Sequence, residues 1–360
     1  MNQKINVGLI GLGRIADLHA AFYENNEKAR IFAVCDIRED TAKKRREQWK
    51  AEKAFTDYRE MLIDPELDAV EIITPHNMHE AMTLEAIKCK KHIALQKPMS
   101  TSLKSADRIL KALIGYKKIF RVSDNYLFYP PIMLAKKMIA SGEIGEPTAI
   151  RIKMISGAKG GWQVPDSAWQ WRLKESEEGR GLQTFDHGHH IWAVSCFLLG
   201  KVERVTAWID SFDGVIDCPA VIMWKYKDRP CYGSCEYTFG NEMEIPSRYY
   251  ANDEWIEISG SKGIIFVRRC TGNILDGPAV GLFQQSRWKY FDDVKDDWAQ
   301  GFIGAADNFI SAIRGEEKPI LTGIESREIL KMSLAISLSS QMRKEIALDD
   351  KGPDIHSTAD

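Results

Sequence analysis

A chain of 360 residues is longer than one ordinary core supports, so two domains are expected. The formal net charge is −2, and the one dense basic run, Lys43-Lys44-Arg45-Arg46, is offset by Glu39, Asp40, Glu47 and Glu52, so it reads as a solvated helix face and no nucleic-acid footprint is present. No stretch approaches the roughly 20 apolar residues of a membrane span, and Met1-Asn2-Gln3-Lys4 leads into a strand without a signal-peptide core; a cytoplasmic protein that binds no membrane is expected.

In chain order, the apolar run Ile5 to Ile10 predicts a strand that leads into Gly11-Leu12-Gly13-Arg14-Ile15-Ala16 and then a helix over Ala16 to Asn25. Gly11 permits the sharp turn, Gly13 lets the backbone meet a pyrophosphate, and Ala16 lets the helix pack close on the strand. A second strand, Arg30 to Cys35, ends in Asp36, 23 residues after Gly13, where a carboxylate accepts from a ribose diol. Strand, glycines, helix and strand-terminal acid together predict a nicotinamide dinucleotide site. Asp36 repels a 2′-phosphate, so NAD is favoured over NADP; Arg38 is the counter-signal, but acids surround it.

The βαβ alternation continues with strands at Ala69 to Ile73, His92 to Leu95 and Phe120 to Val122, and helices at Thr41 to Trp49, His79 to Cys89 and Ser102 to Ile114. This grammar predicts a parallel, doubly covered sheet of the Rossmann kind over residues 1–122. Thr74-Pro75-His76-Asn77, His79 and Gln96-Lys97-Pro98 fall at the rim of the glycine turn, where ligands lie in open α/β sheets.

After Val122 the pattern changes. A helix from Pro131 to Ser141 is followed by strands at Thr148 to Ile155, Arg204 to Asp210, Ala220 to Tyr226, Tyr232 to Phe239, Glu254 to Ser259 and Ile264 to Arg268, with one helix, Thr184 to Leu199, among them. Such a run predicts an α+β domain over 123–348 with an open-faced, mostly antiparallel sheet, and self-association through its uncovered face. Helices are expected at Trp298 to Arg314 and Glu325 to Glu345, then a frayed polar tail over 349–360. The seven cysteines, Cys35, Cys89, Cys196, Cys218, Cys231, Cys235 and Cys270, form no C-x-x-C pair and read as reduced, mostly core thiols.

Two segments of this half bear chemistry. In Thr184-Phe185-Asp186-His187-Gly188-His189-His190, Asp186 and His190 are four apart and share a helix face, an arrangement suited to moving a proton. His187 and His190 are three apart, but a third ligand on that face is missing, so no metal is expected. The segment Gly160-Gly161-Trp162-Gln163 to Trp169-Gln170-Trp171-Arg172 reads as a loop whose indoles either stack on a sugar or fill a core; Trp162, Arg172 and Tyr126, with Tyr129, are the candidate substrate contacts.

Gly11-x-Gly13-x-x-Ala16, Gln96-Lys97-Pro98 and Asp186-x-Gly188-x-His190 jointly resemble the glucose-fructose oxidoreductase / inositol dehydrogenase / MocA family over nearly the whole chain. The resemblance implies hydride transfer between a secondary hydroxyl of a sugar, cyclitol or glycoside and NAD or NADP. It implies that Lys97 is the catalytic lysine, with Asp186 and His190 its partners, and that Thr74, Pro75 and His76 line the cofactor. Three positions depart from the family pattern: Gln96 replaces its usual glutamate, His76 its frequent asparagine, and Ala193 the acid that commonly follows the histidine. On this reading His190 takes the hydroxyl proton, Lys97 stabilises the developing alkoxide and Asp186 orients both. Two other readings stand beside it: an NAD-retaining, redox-neutral glycoside-cleaving enzyme, and a non-catalytic dinucleotide sensor, against which the proton-handling set argues.

Overall fold

Residues 4–349 are described by the computed structural model, so the tail expected beyond Asp349 lies outside the described residues. The chain divides into two compact units, Met1–Asn125 with Gly301–Leu330, and Tyr126–Gln300 with Lys331–Asp360.

In the first unit the elements run β1 (Ile5–Ile10), α1 (Ala16–Ala20), β2 (Ala29–Cys35), α2 (Glu39–Gln48), β3 (Lys53–Phe55), α3 (Tyr58–Leu62), β4 (Ala69–Ile72), α4 (His79–Lys88), β5 (His92–Gln96), α5 (Leu103–Ala112) and β6 (Phe120–Ser123). The strands are parallel in the order β3-β2-β1-β4-β5-β6, which reverses direction of growth at β1 and leaves a crevice at the strands' carboxyl ends. β1 lies between β2 and β4, and every residue of it after Ile5 is buried, as a strand covered on both faces requires. One expectation is corrected here. Residues 301–330 were assigned by chain order to the second domain, yet Ala306, Phe309 and Ile310 pack in one cluster with Val7, Leu9 and Val34. The apolar stripe of that helix completes the first core, and distance along the chain does not decide such packing.

The second unit contains α6 (Pro130–Ala140), β7 (Pro147–Lys159), α7 (Asp166–Glu177), a wide turn (Leu182–His187), α8 (Gly188–Leu199), β8 (Val202–Ile209), β9 (Ala220–Tyr226), β10 (Tyr232–Glu244), β11 (Asn252–Gly260), β12 (Gly263–Val267), β13 (Val280–Gln284) and β14 (Arg287–Phe291). Then follow α9 (Ala299–Ile313), α10 (Gly323–Met342), both of which straddle the division between units, and β15 (Ile346–Ala347). The sheet order is β14-β13-β12-β11-β7-β10-β9-β8-β15, antiparallel except where β10 runs parallel to β7. In β9, Ala220, Ile222 and Trp224 point inward while Val221 and Met223 point out; Trp192 of α8 meets Trp224 edge-on at 5.8 Å on the covered face. On the other face Trp208 and Tyr232 remain 61% and 58% exposed, so the sheet is one-sided.

Three local expectations fail for physical reasons. The tryptophan-rich segment is not all loop: after Pro165, Asp166 opens the helix α7 with a carboxylate in its first turn. The hairpin β13–β14 was missed because its turn, Gln285-Ser286, takes positive φ at both residues without the glycine or asparagine that marks such turns. Regular α1 ends at Ala20 rather than Asn25, so its macrodipole is small. All seven cysteines are free thiols, five of them buried.

Candidate active site

In the first unit Gly11 takes φ +89°, and a Cβ there would lie 2.5 Å from Ile73 O, so only glycine fits the turn between β1 and α1. A Cβ at Gly13 would meet nothing within 4 Å, which leaves the backbone open to an incoming group. Arg14 is exposed beside it and Ile15 half-buried. At the end of β2, Asp36 Oδ2 accepts from Leu12 N at 3.0 Å, and Oδ1 accepts from Arg38 N and Nε at 3.0 and 3.2 Å. A carboxylate offers about four acceptor positions, so Asp36 retains capacity for a ribose hydroxyl. Accepting from both hydroxyls of a diol requires Arg38 to swing away. Arg45 is a participant that its sequence context hid. Expected on a solvated face, it pairs with Asp17 and places Nε and Nη2 3.4 Å from Leu12 O and Gly13 O, bracing the glycine turn.

The two neighbouring turns are tied together by His79. Its Nδ1 lies 2.8 Å from Pro98 O and its Nε2 2.9 Å from Thr74 O, and the residue is fully buried. A neutral ring has one N–H, so it donates to one of these two carbonyls, and the ring sits between the main chains of both turns. Burial, with the charge of His76 next, pushes its pKa down to about 3. His76 itself is buried, edge-on to His79 at 5.7 Å, while Thr74 and Pro75 are half-buried at the rim.

Gln96 Oε1 accepts from Lys97 N at 2.8 Å and its Nε2 lies 3.2 Å from His19 Nε2. His19 Nδ1 continues to Glu71 at 2.6 Å, and Tyr23 also donates to Glu71. The amide thus faces a buried polar chain beneath Lys97, which is itself buried. An amide suits this place because its two ends differ: the carbonyl receives the Lys97 amide while the NH₂ donates to an imidazole whose other nitrogen serves Glu71.

In the second unit Asp186 Oδ2 is 3.0 Å from Arg172 Nε, and the guanidinium stacks 4.2 Å from the Trp171 ring centroid. His190 is buried, its ring stacked on Tyr126 at 4.3 Å. The turn that delivers them is wound in the wide, i to i+5 manner, with Asp186 N on Gly181 O at 3.0 Å, so Asp186 precedes the true helix instead of lying within it. Asp217 holds its start, accepting from Gln183 N at 2.7 Å and Thr184 N at 2.8 Å. A Cβ on Gly181 would lie 1.9 Å from that carboxylate. Tyr129 donates to Asp296 O at 2.9 Å, and Trp162 meets Tyr249 and Tyr250 edge-on at 5.3 and 5.5 Å, within a cluster that includes Trp298.

Sequence reasoning also missed the partners of His187. His187 Nε2 lies 2.8 Å from Glu254 Oε1 on β11, and Tyr126 donates to the same oxygen at 2.9 Å. Asn252 adds a donor at 2.7 Å and Thr271 donates to Oε2 at 3.1 Å. A fully buried glutamate in a strand was the available signal, since Glu254 sits where β11 otherwise alternates into the core. Among the described residues no group of three or more His, Cys, Asp or Glu is placed to hold a metal ion, and no helix is long and apolar enough to cross a membrane.

Residues 5–124 match the model of an oxidoreductase family with an NAD-binding Rossmann fold, and residues 132–266 match the GFO/IDH/MocA C-terminal domain. A myo-inositol 2-dehydrogenase of Thermotoga maritima is 26% identical, the match covering 96% of this chain and 99% of that protein. A scyllo-inositol 2-dehydrogenase (NAD(+)) of Bacillus subtilis is 25% identical over 98% of each chain. Among solved structures, a probable dehydrogenase from Thermotoga maritima superposes with a TM-score of 0.77 at 25% identity, over 96% of this chain and 99% of that one.

Proposed function

Since the chain belongs to the glucose-fructose oxidoreductase / inositol dehydrogenase / MocA family, we propose that it transfers a hydride between a ring secondary hydroxyl of a cyclitol or sugar and NAD. The observation that carries this reading is the Asp36 carboxylate, fixed by the Leu12 amide at the open edge of the glycine turn with acceptor capacity to spare. The inositol dehydrogenases of similar length supply the substrate class.

A bound nicotinamide would supply the hydride acceptor. The turn at Gly11, Gly13, Arg14 and Ile15 would hold its pyrophosphate through backbone amides, and Asp36 its ribose. Lys97 hydrogen-bonds the substrate oxygen and stabilises the charge that grows on it as the C–H bond breaks. His190 takes the hydroxyl proton, and Asp186, with Arg172 against it, orients the substrate. We further propose that the exposed sheet face around Trp208, Val221, Met223 and Tyr232 mediates self-association, since a one-sided apolar sheet needs a cover.

The test is a panel of inositols, free sugars and glycosides offered with NAD and with NADP while nicotinamide absorbance is followed. Reduction of NAD by a cyclitol or sugar is expected. A free sugar released from a glycoside without accumulation of reduced cofactor would favour the redox-neutral enzyme, and tight NAD binding without any turnover would favour a sensor.

A further inference from the structure

The second unit contains an imidazole–carboxylate pair that the proposed hydride transfer leaves unused. Glu254 is fully buried and receives four donors, from His187, Tyr126, Asn252 and Thr271. Burial by itself would raise its pKa, but the hydrogen bonds and charge of His187 and the hydrogen bonds from Tyr126 and Asn252 prevail and hold it below the usual glutamate value. An ionised Glu254 can only accept, so the nitrogen 2.8 Å from it, His187 Nε2, carries a proton. That assigns the lone pair of the neutral ring to Nδ1, which is buried without a hydrogen-bond partner. A carboxylate on one ring nitrogen that leaves the other basic is the arrangement by which a histidine is set up to accept protons.

The neighbourhood gives this base a supply. The His187 and His190 rings lie edge to face with centroids 5.8 Å apart, and Tyr126 packs against both. His190 is 7% exposed, whereas the His187 side chain is 19% exposed. A base as buried as His190 must pass its proton on before another turnover, and the His187 side chain is the wetter of the two, although its Nδ1 is itself covered.

We propose that His187 is a proton-relay residue, receiving at Nδ1 the proton that His190 takes from the substrate hydroxyl and releasing it to solvent, with Glu254 as the positioning residue that fixes its tautomer. The proposal rests on the hydride-transfer reading above. In the step, an N–H bond of the His190 imidazolium breaks and an N–H bond forms at His187 Nδ1, directly or through one water. The positive charge moves with the proton, Nε2–H stays on Glu254, and buffer takes the Nδ1 proton once that atom, covered in this structure, is uncovered. No oxidant or reductant is involved.

Buffer rescue tests it. Steady-state turnover of the NAD-loaded full chain with a cyclitol that the wild type oxidises is measured at fixed pH and ionic strength against imidazole concentration. Wild-type turnover should be flat. His187→Ala should be slower by roughly tenfold or more at the lowest buffer, the scale of a lost proton-transfer group, and should climb toward the wild type as imidazole rises. His187→Gln, which keeps a donor for Glu254 and so preserves the local fold, should be equally slow at low buffer. Wild-type rates for both variants at the lowest buffer overturn the relay, as does slowing that imidazole leaves unchanged. Either result leaves hydride transfer standing if the wild type reduces NAD; a wild type that reduces NAD with no member of the panel overturns both.

Discussion

The glycine turn of the first unit and the Asp186–His190 segment of the second are built on different principles. The turn is assembled from near neighbours: Leu12 and Asp36, 24 residues apart, meet because consecutive parallel strands set them at one edge. The second segment is assembled from afar. Tyr126 and Glu254 are 128 residues apart, and Thr184 reaches Asp217 across 33. A site made from one supersecondary unit tolerates loss of any one side chain, because backbone geometry does most of the holding. A site made by convergence of distant side chains depends on each of them.

That contrast orders the expected effects. Removing Glu254 should be the most damaging: Glu254→Ala strips four groups, three of them buried, of their acceptor, and a drop of about 3–5 kcal/mol in unfolding free energy is expected from denaturant titration. A loss below 1 kcal/mol would mean the cluster is not the keystone described. Next, Lys97→Met should cut turnover roughly 10²-fold or more while NAD affinity stays near the wild type, since a group acting on the transition state contributes little to cofactor binding. Unchanged turnover would remove Lys97 from the chemistry. Asp36→Ala, in the locally built region, should weaken NAD by about one to two decades in a binding titration, as charge-assisted hydrogen bonds contribute roughly 1.5–3 kcal/mol each.

A further effect concerns acid. His79 is held down to about 3 from 6.5, so the contribution of its neutral, buried state is present above pH 6.5 and is lost as pH falls toward 3. Asp253 works with the opposite sign: burial and the Glu254 charge raise it to about 6 from 3.8, a contribution present at acid pH and lost as pH rises through 6. Only the difference between the wild type and His79→Asn isolates the histidine. Melting temperatures of the two should converge as pH falls from 7 to 4; parallel curves would show that His79 does not titrate with unfolding.

The same contrast explains what the sequence made legible. β1 matches its expected bounds because a strand buried on both faces is one unbroken apolar run. Gly11, Gly13 and Asp36 were found because their spacing follows from one βαβ unit. Asp186 and His190 were recognised, but their geometry was not: the wide turn at Leu182–His187 breaks the 3.6-residue period on which a shared helix face depends. Glu254, Asp217 and Asn252 could not be matched to that segment, because no local pattern pairs a strand residue with a distant turn. β3, with three residues, is too short for alternation to show.

The central claim is a hydride leaving a carbinol carbon for the cofactor. A cyclitol deuterated at its reacting carbon, incubated with the protein and NAD, tests it most directly through the mass of the reduced nicotinamide. Deuterium recovered in the reduced cofactor, together with a slowed rate relative to the unlabelled cyclitol, is the predicted result. Reduced cofactor without the label, or label retained on a product formed with no reduced cofactor, would contradict it.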